Sequence, residues 1–392
     1  MRCAQQKVAA IALALLVAGC AALVHHRAIA AEPKATIVYT SNFAADVPEH
    51  WSRPQFTVSP SGRKFLGQFL NDEVRLSLVN LPPHKRVRLS FDLITFLSWD
   101  GSDPENGPDI VDVQIEHGPR LLHATFTNPT NPFSQSYPGT FGIDSAPPQT
   151  GGQKSTLGYN FGGVPSDTVY RIERTFGHSE NFLTIVFSGK NLTDEFWGLD
   201  NVVVEVLDEP KQPANPAGLE KAWQMLGDSD PMIATQGISR LVDLGDQVVP
   251  QLQKFSESPD APALDAAQAA AIQRLIDGLD ADDYQARENA SDDLAKQWRK
   301  ALPLLHEALD NHPPPETKAR IHRILTHSFD DDDKQSRRLV RLVFVLELLN
   351  TDRSRGLLGK MVDWSDNPSV VVWGGEALKR ITAKAPDDGK TK

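Results

Sequence analysis

The sequence predicts two folded parts in series, an antiparallel β-sandwich or barrel followed by an α-helical repeat domain. Up to residue 207, several segments carry apolar side chains at every second position, and clusters of Gly, Pro, Asn and Ser separate them. From residue 219 onward, apolar residues recur at three- and four-residue spacing, which is typical of amphipathic helices. A proline-rich stretch at 208–218 lies between the two patterns and predicts a linker.

The size and charge of the chain narrow the classes of function. Its 392 residues allow two or three domains. With 40 basic and 51 acidic residues, the formal net charge is −11. This balance argues against a nucleic-acid partner, since such proteins usually carry a basic stripe. Cys3 and Cys20 are the two cysteines, which excludes a disulfide scaffold and a cysteine zinc site.

Residues 1–31 resemble a bacterial export signal, with a short positive region before the long apolar run at 8–24. Three outcomes remain open. The residues up to Cys20 match a lipoprotein motif in which Cys20 is acylated, whereas 28–30 match an ordinary signal-peptidase site. The third outcome is an uncleaved anchor. The sequence therefore predicts an exported protein, either lipid-anchored in the cell envelope or released as a periplasmic or extracellular protein.

The β domain is predicted at 36–207. Alternation of polar and apolar residues favours strands that place one face on a core. About ten such segments occur without helices between them, which predicts an antiparallel sandwich or barrel. The clearest segments are 86–96, 109–116, 121–126, 169–176, 182–187 and 197–206.

The helical domain is predicted at 219–385, followed by a disordered tail at 386–392. Proline suits the first turn of a helix, so Pro250 and Pro303 predict two equivalent helix starts. Repeated helix pairs predict an elongated stack in which each pair contacts its neighbours. Because the linker is rich in proline, few contacts are expected between the two domains. The internal repeat aligns Leu241, Val249, Pro250 and Leu252 with Leu294, Leu302, Pro303 and Leu305.

Short motifs mark the β part: Asn42-Phe43, Trp51-Ser52, Phe65-Leu66-Gly67, Phe91-Asp92-Leu93, Ser98-Trp99-Asp100-Gly101, Gly107-Pro108-Asp109, Gln135-Ser136-Tyr137-Pro138 and Trp197-Gly198-Leu199-Asp200-Asn201-Val202. Together they resemble a jelly-roll module of exported bacterial proteins, similar to concanavalin-like and carbohydrate-binding jelly rolls. The resemblance implies a sandwich over most of 36–207. It leaves the ligand open, because a fold does not determine a function.

Residues 275–309 combine an aspartate-rich helix start with Tyr284, Arg287, Ala290, Leu294, Pro303 and Leu305. This pattern resembles a degenerate HEAT-type repeat of exported bacterial proteins. It departs from that family at 297–299, where a Leu-Gly turn is usual. The resemblance implies a helical scaffold that binds a protein partner, and it implies no chemistry.

One strand–loop–strand unit contains the candidate ligand-binding residues. Asp100, Asp109 and Asp112 lie in or beside a Gly- and Pro-rich loop, and Trp99 is the best candidate for an exposed ring. Carboxylates bind sugar hydroxyls or a hard cation such as calcium, and an exposed ring packs on the apolar face of a sugar. The alternative is that the aspartates only form turns. Trp51 and Trp197 are expected in the core.

The jelly-roll resemblance implies one cofactor, a structural calcium ion. In such modules the first and last strands lie together and share the ion, which would make Asp46 and Asp200 its ligands. The alternative is that Asp200 only ends a loop before the last strand.

The sequence assigns no catalytic residue, since it contains no nucleophile elbow, no H-E-x-x-H motif and no phosphate-binding glycine loop. The leading interpretation is a non-catalytic binding or scaffold protein, in which the sandwich contacts a ligand or glycan and the helices a protein. One alternative is a lectin-like carbohydrate-binding protein. The other is a polysaccharide hydrolase with two carboxylates facing each other in the β part.

Overall fold

The computed structural model describes residues 35–45, 49–103, 105–128, 133–210, 215–257, 264–326, 334–365 and 367–383. The predicted export signal with Cys20, the candidate calcium ligand Asp46 and the predicted tail at 386–392 lie outside these ranges. Within them, the chain forms an N-terminal antiparallel β-sandwich followed by ten α-helices. No described helix is both long and apolar enough to cross a membrane.

Thirteen strands lie in the described part of the chain. They are β1 (Ala35–Ser41), β2 (Phe56–Val58), β3 (Lys64–Phe69), β4 (Glu73–Val79), β5 (Arg86–Phe96), β6 (Ile110–Ile115), β7 (Arg120–Thr125), β8 (Gly152–Lys154), β9 (Asn160–Phe161), β10 (Val164–Pro165), β11 (Asp167–Gly177), β12 (Phe182–Lys190) and β13 (Phe196–Leu207).

The strands form two packed sheets and a separate hairpin. The larger sheet has the order β2-β3-β13-β5-β11-β8, and β1 pairs with the second half of β13. The smaller sheet has the order β4-β12-β6-β7, and β9 pairs with β10. Alternate residues of both sheets point inward. Their rings meet in the core, where the centroids of Phe91 on β5 and Phe187 on β12 are 5.3 Å apart.

A second, small apolar cluster lies on the outer face of the larger sheet. It consists of Phe65, Ile94, Phe96, Leu157 and Val169, with Tyr159 stacked on Phe96. Leu157 and Tyr159 belong to the segment that leads into the β9–β10 hairpin. One end of this outer face is therefore covered.

The helices begin where polar caps and prolines predict. Asn215 caps the first helix and Pro216 occupies its first turn, so this helix starts inside the stretch predicted as linker. The described helices are α1 (Pro216–Leu226), α2 (Pro231–Asp243), α3 (Val249–Glu257), α4 (Ala266–Gly278), α5 (Tyr284–Lys296), α6 (Trp298–Asp310), α7 (Pro315–Thr326), α8 (Lys334–Leu349), α9 (Asp352–Trp364) and α10 (Pro368–Thr382).

Two expectations for the helical part are wrong in detail. Pro250 lies in the first turn of α3, but Pro303 lies inside α6, which already begins at Trp298. The helices also do not contact only their neighbours along the chain. Helix α8 packs against α1 and α2 as well as against α9 and α10. The chain thus returns to its first helices instead of continuing an elongated stack.

The expectation of few contacts between the β and α parts is also wrong. Helices α2 and α8 contact β11, and α8 also contacts β7. A buried ion pair joins Arg341 on α8 to Asp144 in the loop after β7. Glu347 on α8 accepts hydrogen bonds from the Arg120 backbone N–H and from the Arg380 guanidinium. One continuous apolar core runs through both parts.

Candidate functional site

Trp99 is a core residue and not an exposed ring. It is fully buried, its Nε1–H donates to the Phe196 carbonyl at 2.9 Å, and its ring contacts Phe126. The prediction that Trp99 stacks on a sugar is therefore wrong, because β13 and Phe126 cover the ring. The core positions predicted for Trp51 and Trp197 are confirmed.

Asp112 is buried on the outer face of the smaller sheet, apart from Asp100 and Asp109. Lys190 donates to its carboxylate, and His123 Nδ1 and Arg120 Nε lie 3.3 and 3.4 Å from its Oδ1. Burial alone would raise the pKa of Asp112. The contact with His123, the charge of Arg120 and the hydrogen bond from Lys190 outweigh burial and hold this pKa well below its usual range. The charge of Asp112 is thus balanced by basic side chains of β7 and β12.

Asp100 and Asp109 do come together, and a third carboxylate joins them. One oxygen from each of Asp100, Asp109 and Glu195 lies within 4.8 Å of the others. Asp100 follows β5, Asp109 precedes β6 and Glu195 precedes β13. Because β5 and β13 are paired through Phe96 and Phe196, the end of one strand lies beside the start of the other. Among the described residues, this acidic triad is the group that could share a metal ion.

The triad concentrates negative charge in a buried place. Burial, together with the charges of Glu195, Asp100 and Asp194, raises the pKa of Asp109 to about 8. Burial also raises the pKa of Glu195. The Glu195 carboxylate accepts hydrogen bonds from the Thr193 backbone at 2.6 Å and the Ser98 hydroxyl at 3.4 Å. Such a group of oxygens can hold a hard cation or share a proton.

A second polar cluster lies on the outer face of the larger sheet. Arg63 donates to Asp92 at 2.6 Å and to Asp200 at 2.7 Å. Asn201 Nδ2 donates to Asp92 at 2.8 Å, and Arg171 donates to Asp92 at 3.3 Å. We call Arg63, Asp92, Arg171, Asp200 and Asn201 the outer-face cluster. Its charges are balanced by two guanidinium groups, and its side chains hold each other in place.

Of the two calcium ligands that the resemblance implies, Asp46 lies outside the described residues and Asp200 belongs to the outer-face cluster. Asp200 is largely buried, and burial raises its pKa although Arg63 lowers it. Here the Arg63 guanidinium supplies a positive charge at Asp200. The calcium prediction for Asp46 and Asp200 stays a prediction.

The outer-face cluster is open to solvent on one side. The Arg171 side chain is 51% exposed and Asn201 is exposed. Ile94 and Val169 of the small apolar cluster lie two residues from Asp92 and Arg171 along their strands, so the covered end of the face adjoins these groups. On the other side, an open groove of about 460 Å³ runs between Arg171 and helix α2.

Several residues of these sites were missed from sequence, among them Glu195, Arg63 and Arg171. Glu195 directly precedes a predicted strand, and only the pairing of β5 with β13 brings it to Asp100. Arg63 lies in a turn and meets Asp92 and Asp200 from two different strands. For Glu195, the sequence offered one signal. Acidic residues stand just after β5 and just before β13, and the ends of two paired strands lie side by side.

Comparison with known proteins gives distant structural neighbours. No protein-family model and no curated protein matches the chain. The xylan-binding CBM22-1 domain of Paenibacillus barcinonensis matches with 10% identity and a TM-score of 0.24, over 45% of this chain and 99% of that domain. A carbohydrate-binding module of Cellvibrio mixtus lichenase, solved with cellotriose, matches with 14% identity and a TM-score of 0.22, over 43% and 97%.

The K3 cleaved adhesin domain of Lys-gingipain from Porphyromonas gingivalis matches with 13% identity and a TM-score of 0.24, over 43% of this chain and 99% of that domain. The neighbours thus include carbohydrate-binding modules and an adhesin domain. Similarities this distant say nothing about the residues of a binding site.

Proposed function

We propose that the protein is a non-catalytic carbohydrate-binding protein whose ligand lies on the outer-face cluster. The observation that carries the proposal is a mutually bonded set of polar side chains, of which Arg171 and Asn201 are exposed. The set consists of Arg63, Asp92, Arg171, Asp200 and Asn201. Sugars present hydroxyl groups that both donate and accept hydrogen bonds. Carboxylates accept such bonds, guanidinium groups donate them and an asparagine does both.

The cluster is suited to binding because its side chains are already ordered. Arg63 is held by two ion pairs, and Arg171 donates to Ser90 and to the Asn201 carbonyl as well as to Asp92. A ligand that bonds ordered side chains loses less free energy to immobilising them. The groove beside Arg171 falls within the size range of small-ligand sites.

The proposal favours binding over hydrolysis. A glycosidase needs one carboxyl group that gives up a proton and a second that acts as base or nucleophile. Asp92 and Asp200 instead bond the same guanidinium, so the two carboxyl groups do not face each other across an open cleft as an acid and a base. Export of the protein, acylation of Cys20 and a protein partner for the helices remain predictions.

The test is binding of the full chain to a panel of polysaccharides, with release of sugars measured in the same samples. The double variant Arg171→Ala/Asn201→Ala removes the two exposed donors without leaving the buried Asp200 uncompensated. We expect it to bind its polysaccharide at least about tenfold more weakly, a loss that fits one or two hydrogen bonds to charged or polar groups.

Arg75→Ala is the matched control, because Arg75 lies on β4 of the other sheet and pairs with the exposed Glu73 and Glu116. It should bind like the wild type. Absence of binding across the panel, or equal binding by the double variant, would refute the proposal. Sugar release that depends on Asp92 would favour the hydrolase alternative.

A further inference from the structure

Two buried aspartates three positions apart have opposite surroundings. Asp112 meets Lys190, His123 and Arg120. Asp109 is fully buried, and no lysine, arginine or histidine of the described residues pairs with it. Basic side chains therefore surround Asp112 but not Asp109.

The Asp109 carboxylate is also incompletely hydrogen-bonded. Its Oδ2 accepts the Asp100 backbone N–H, but its buried Oδ1 has no hydrogen-bond partner. Buried polar atoms are nearly always bonded, and a buried anion without a partner is costly. An orphaned oxygen beside two further carboxylates points to a positive ligand at this place.

We propose that Asp100, Asp109 and Glu195 bind a calcium ion. The site is distinct from the predicted pair Asp46 and Asp200, and it does not rest on the proposed carbohydrate-binding function. Three carboxylates from two loops converge there, and Asp109 brings a buried oxygen that nothing else in the described chain satisfies.

The donor chemistry selects the class of metal. The triad offers carboxylate oxygens, with the Ser98 hydroxyl bonded to Glu195, and it contains no imidazole or thiolate. Oxygen-only sites suit calcium and magnesium, whereas zinc and copper favour nitrogen or sulfur ligands. Calcium accepts six to eight oxygens in a flexible arrangement, which suits ligands from two separate loops.

The ion would close the β5–β6 loop onto the start of β13. Asp100 and Asp109 bound this loop, and its other internal contacts are bonds such as the Asp109 N–H to the Gly101 carbonyl at 3.0 Å. The wild type should therefore gain thermal stability from calcium, because a ligand bound only by the folded state stabilises that state.

The test is thermal melting of the full chain after chelator treatment, with and without calcium chloride. Terbium luminescence provides a second readout, since Trp99 next to Asp100 can sensitise a bound terbium ion. We expect calcium to raise the wild-type melting temperature by several degrees and to displace terbium. Asp109→Asn and Glu195→Gln should lose both responses.

The melting temperature of Asp109→Asn without calcium shows whether this variant folds normally. Its amide carries no charge, so without calcium it should melt no lower than the wild type. Glu105→Gln is the matched control, because Glu105 lies in the same loop, is exposed and carries a carboxyl group that the variant replaces by an amide. It should keep the calcium response.

Three outcomes would overturn the proposal. One is a wild type whose melting and terbium signal do not respond to calcium. The second is an equal response to magnesium chloride, which would remove the assignment to calcium. The third is an Asp109→Asn variant that keeps the full response while Asp200→Asn loses it, which would place the ion at the site predicted from sequence.

Discussion

Buried charges lie at the junction between the sandwich and the helices. The Arg341 and Asp144 side chains, 2.6 Å apart, are 3% and 4% exposed. Arg341 also donates to the carbonyls of Leu226 and Asp228, so one side chain holds the loop after β7, helix α8 and the end of α1 together. Removing one partner of such a pair leaves the other as an uncompensated buried charge.

The variant Arg341→Met should lower the free energy of unfolding by about 3–5 kcal/mol, because Asp144 would stay buried without its partner. Denaturant unfolding followed by circular dichroism measures the change. The double variant Arg341→Met/Asp144→Asn should recover part of the loss, since it leaves no buried anion. A single-variant loss below about 1 kcal/mol, the size typical of surface pairs, would contradict the argument.

We expect His178 to make the fold sensitive to acid. Burial and the charge of the neighbouring His84, whose ring stacks at 5.1 Å, lower the pKa of His178 to about 4. Folding therefore favours the neutral ring. Its contribution to stability is present above the unfolded pKa of about 6.5 and is lost as the pH falls toward the folded value.

The melting temperature between about pH 7 and pH 4 should fall more steeply for the wild type than for His178→Gln, because glutamine takes up no proton. Differential scanning calorimetry across this range measures both slopes. Equal slopes would mean that other groups carry the acid sensitivity.

At the scale of elements, the long strands were predictable because alternation over many residues marks a strand with one buried face. The segment 86–96 is β5 with the predicted bounds, and 182–187 and 197–206 lie within β12 and β13. The shortest strands, of two or three residues, carry no period and were not predicted. They are β2, β8, β9 and β10.

Of the acidic triad, only the two aspartates that are close in sequence were predictable. Asp100 and Asp109 bound one loop, so the sequence places them together. Glu195 reaches them through the pairing of β5 with β13, which is a long-range contact that no local pattern encodes. Trp99 was expected in solvent because glycine and aspartate follow it. Its burial depends on Phe126 and β13, which the fold brings over the ring.

Helices α2 and α5 differ in what they support, although Leu241 and Leu294 are aligned and both are fully buried. Either leucine replaced by alanine should cost about 2–5 kcal/mol, from lost apolar burial and the cavity left behind. Helix α2 contacts β11 and α8, whereas α5 contacts α4, α6 and α7.

Hydrogen exchange separates the two variants. Leu294→Ala should raise exchange in α4 to α7 and leave the sandwich unchanged. Leu241→Ala should also raise exchange in β11, because the helix that packs on this strand is loosened. The same exchange pattern in both variants would contradict the assignment of α2 to the junction.

At the scale of the whole molecule, a linker rich in proline does not keep the β and α parts from packing on each other. The prolines at 208–218 predict only the conformation of the connecting segment. The contacts between the β and α parts are made by residues far from this segment in sequence. Gly177 at the end of β11 shows how close the parts approach, since a Cβ added there would lie 2.0 Å from the Leu349 carbonyl oxygen of α8. The Asn350 side chain also donates to the Gly177 carbonyl.

Cleavage of the linker by a protease should therefore leave the two parts bound to each other. A protein cut once between residues 210 and 216 should elute from size exclusion as one species containing both fragments, because the shared core and the Arg341–Asp144 pair remain.

Gly177→Ala should weaken this complex of two fragments, since its methyl group meets the Leu349 backbone, which cannot rotate away as a side chain could. Gly359→Ala in α9 is the matched control, because nothing lies within 4 Å of its added Cβ. If the cut wild-type fragments separate without denaturant, the two parts are independent domains, as the linker composition alone predicts.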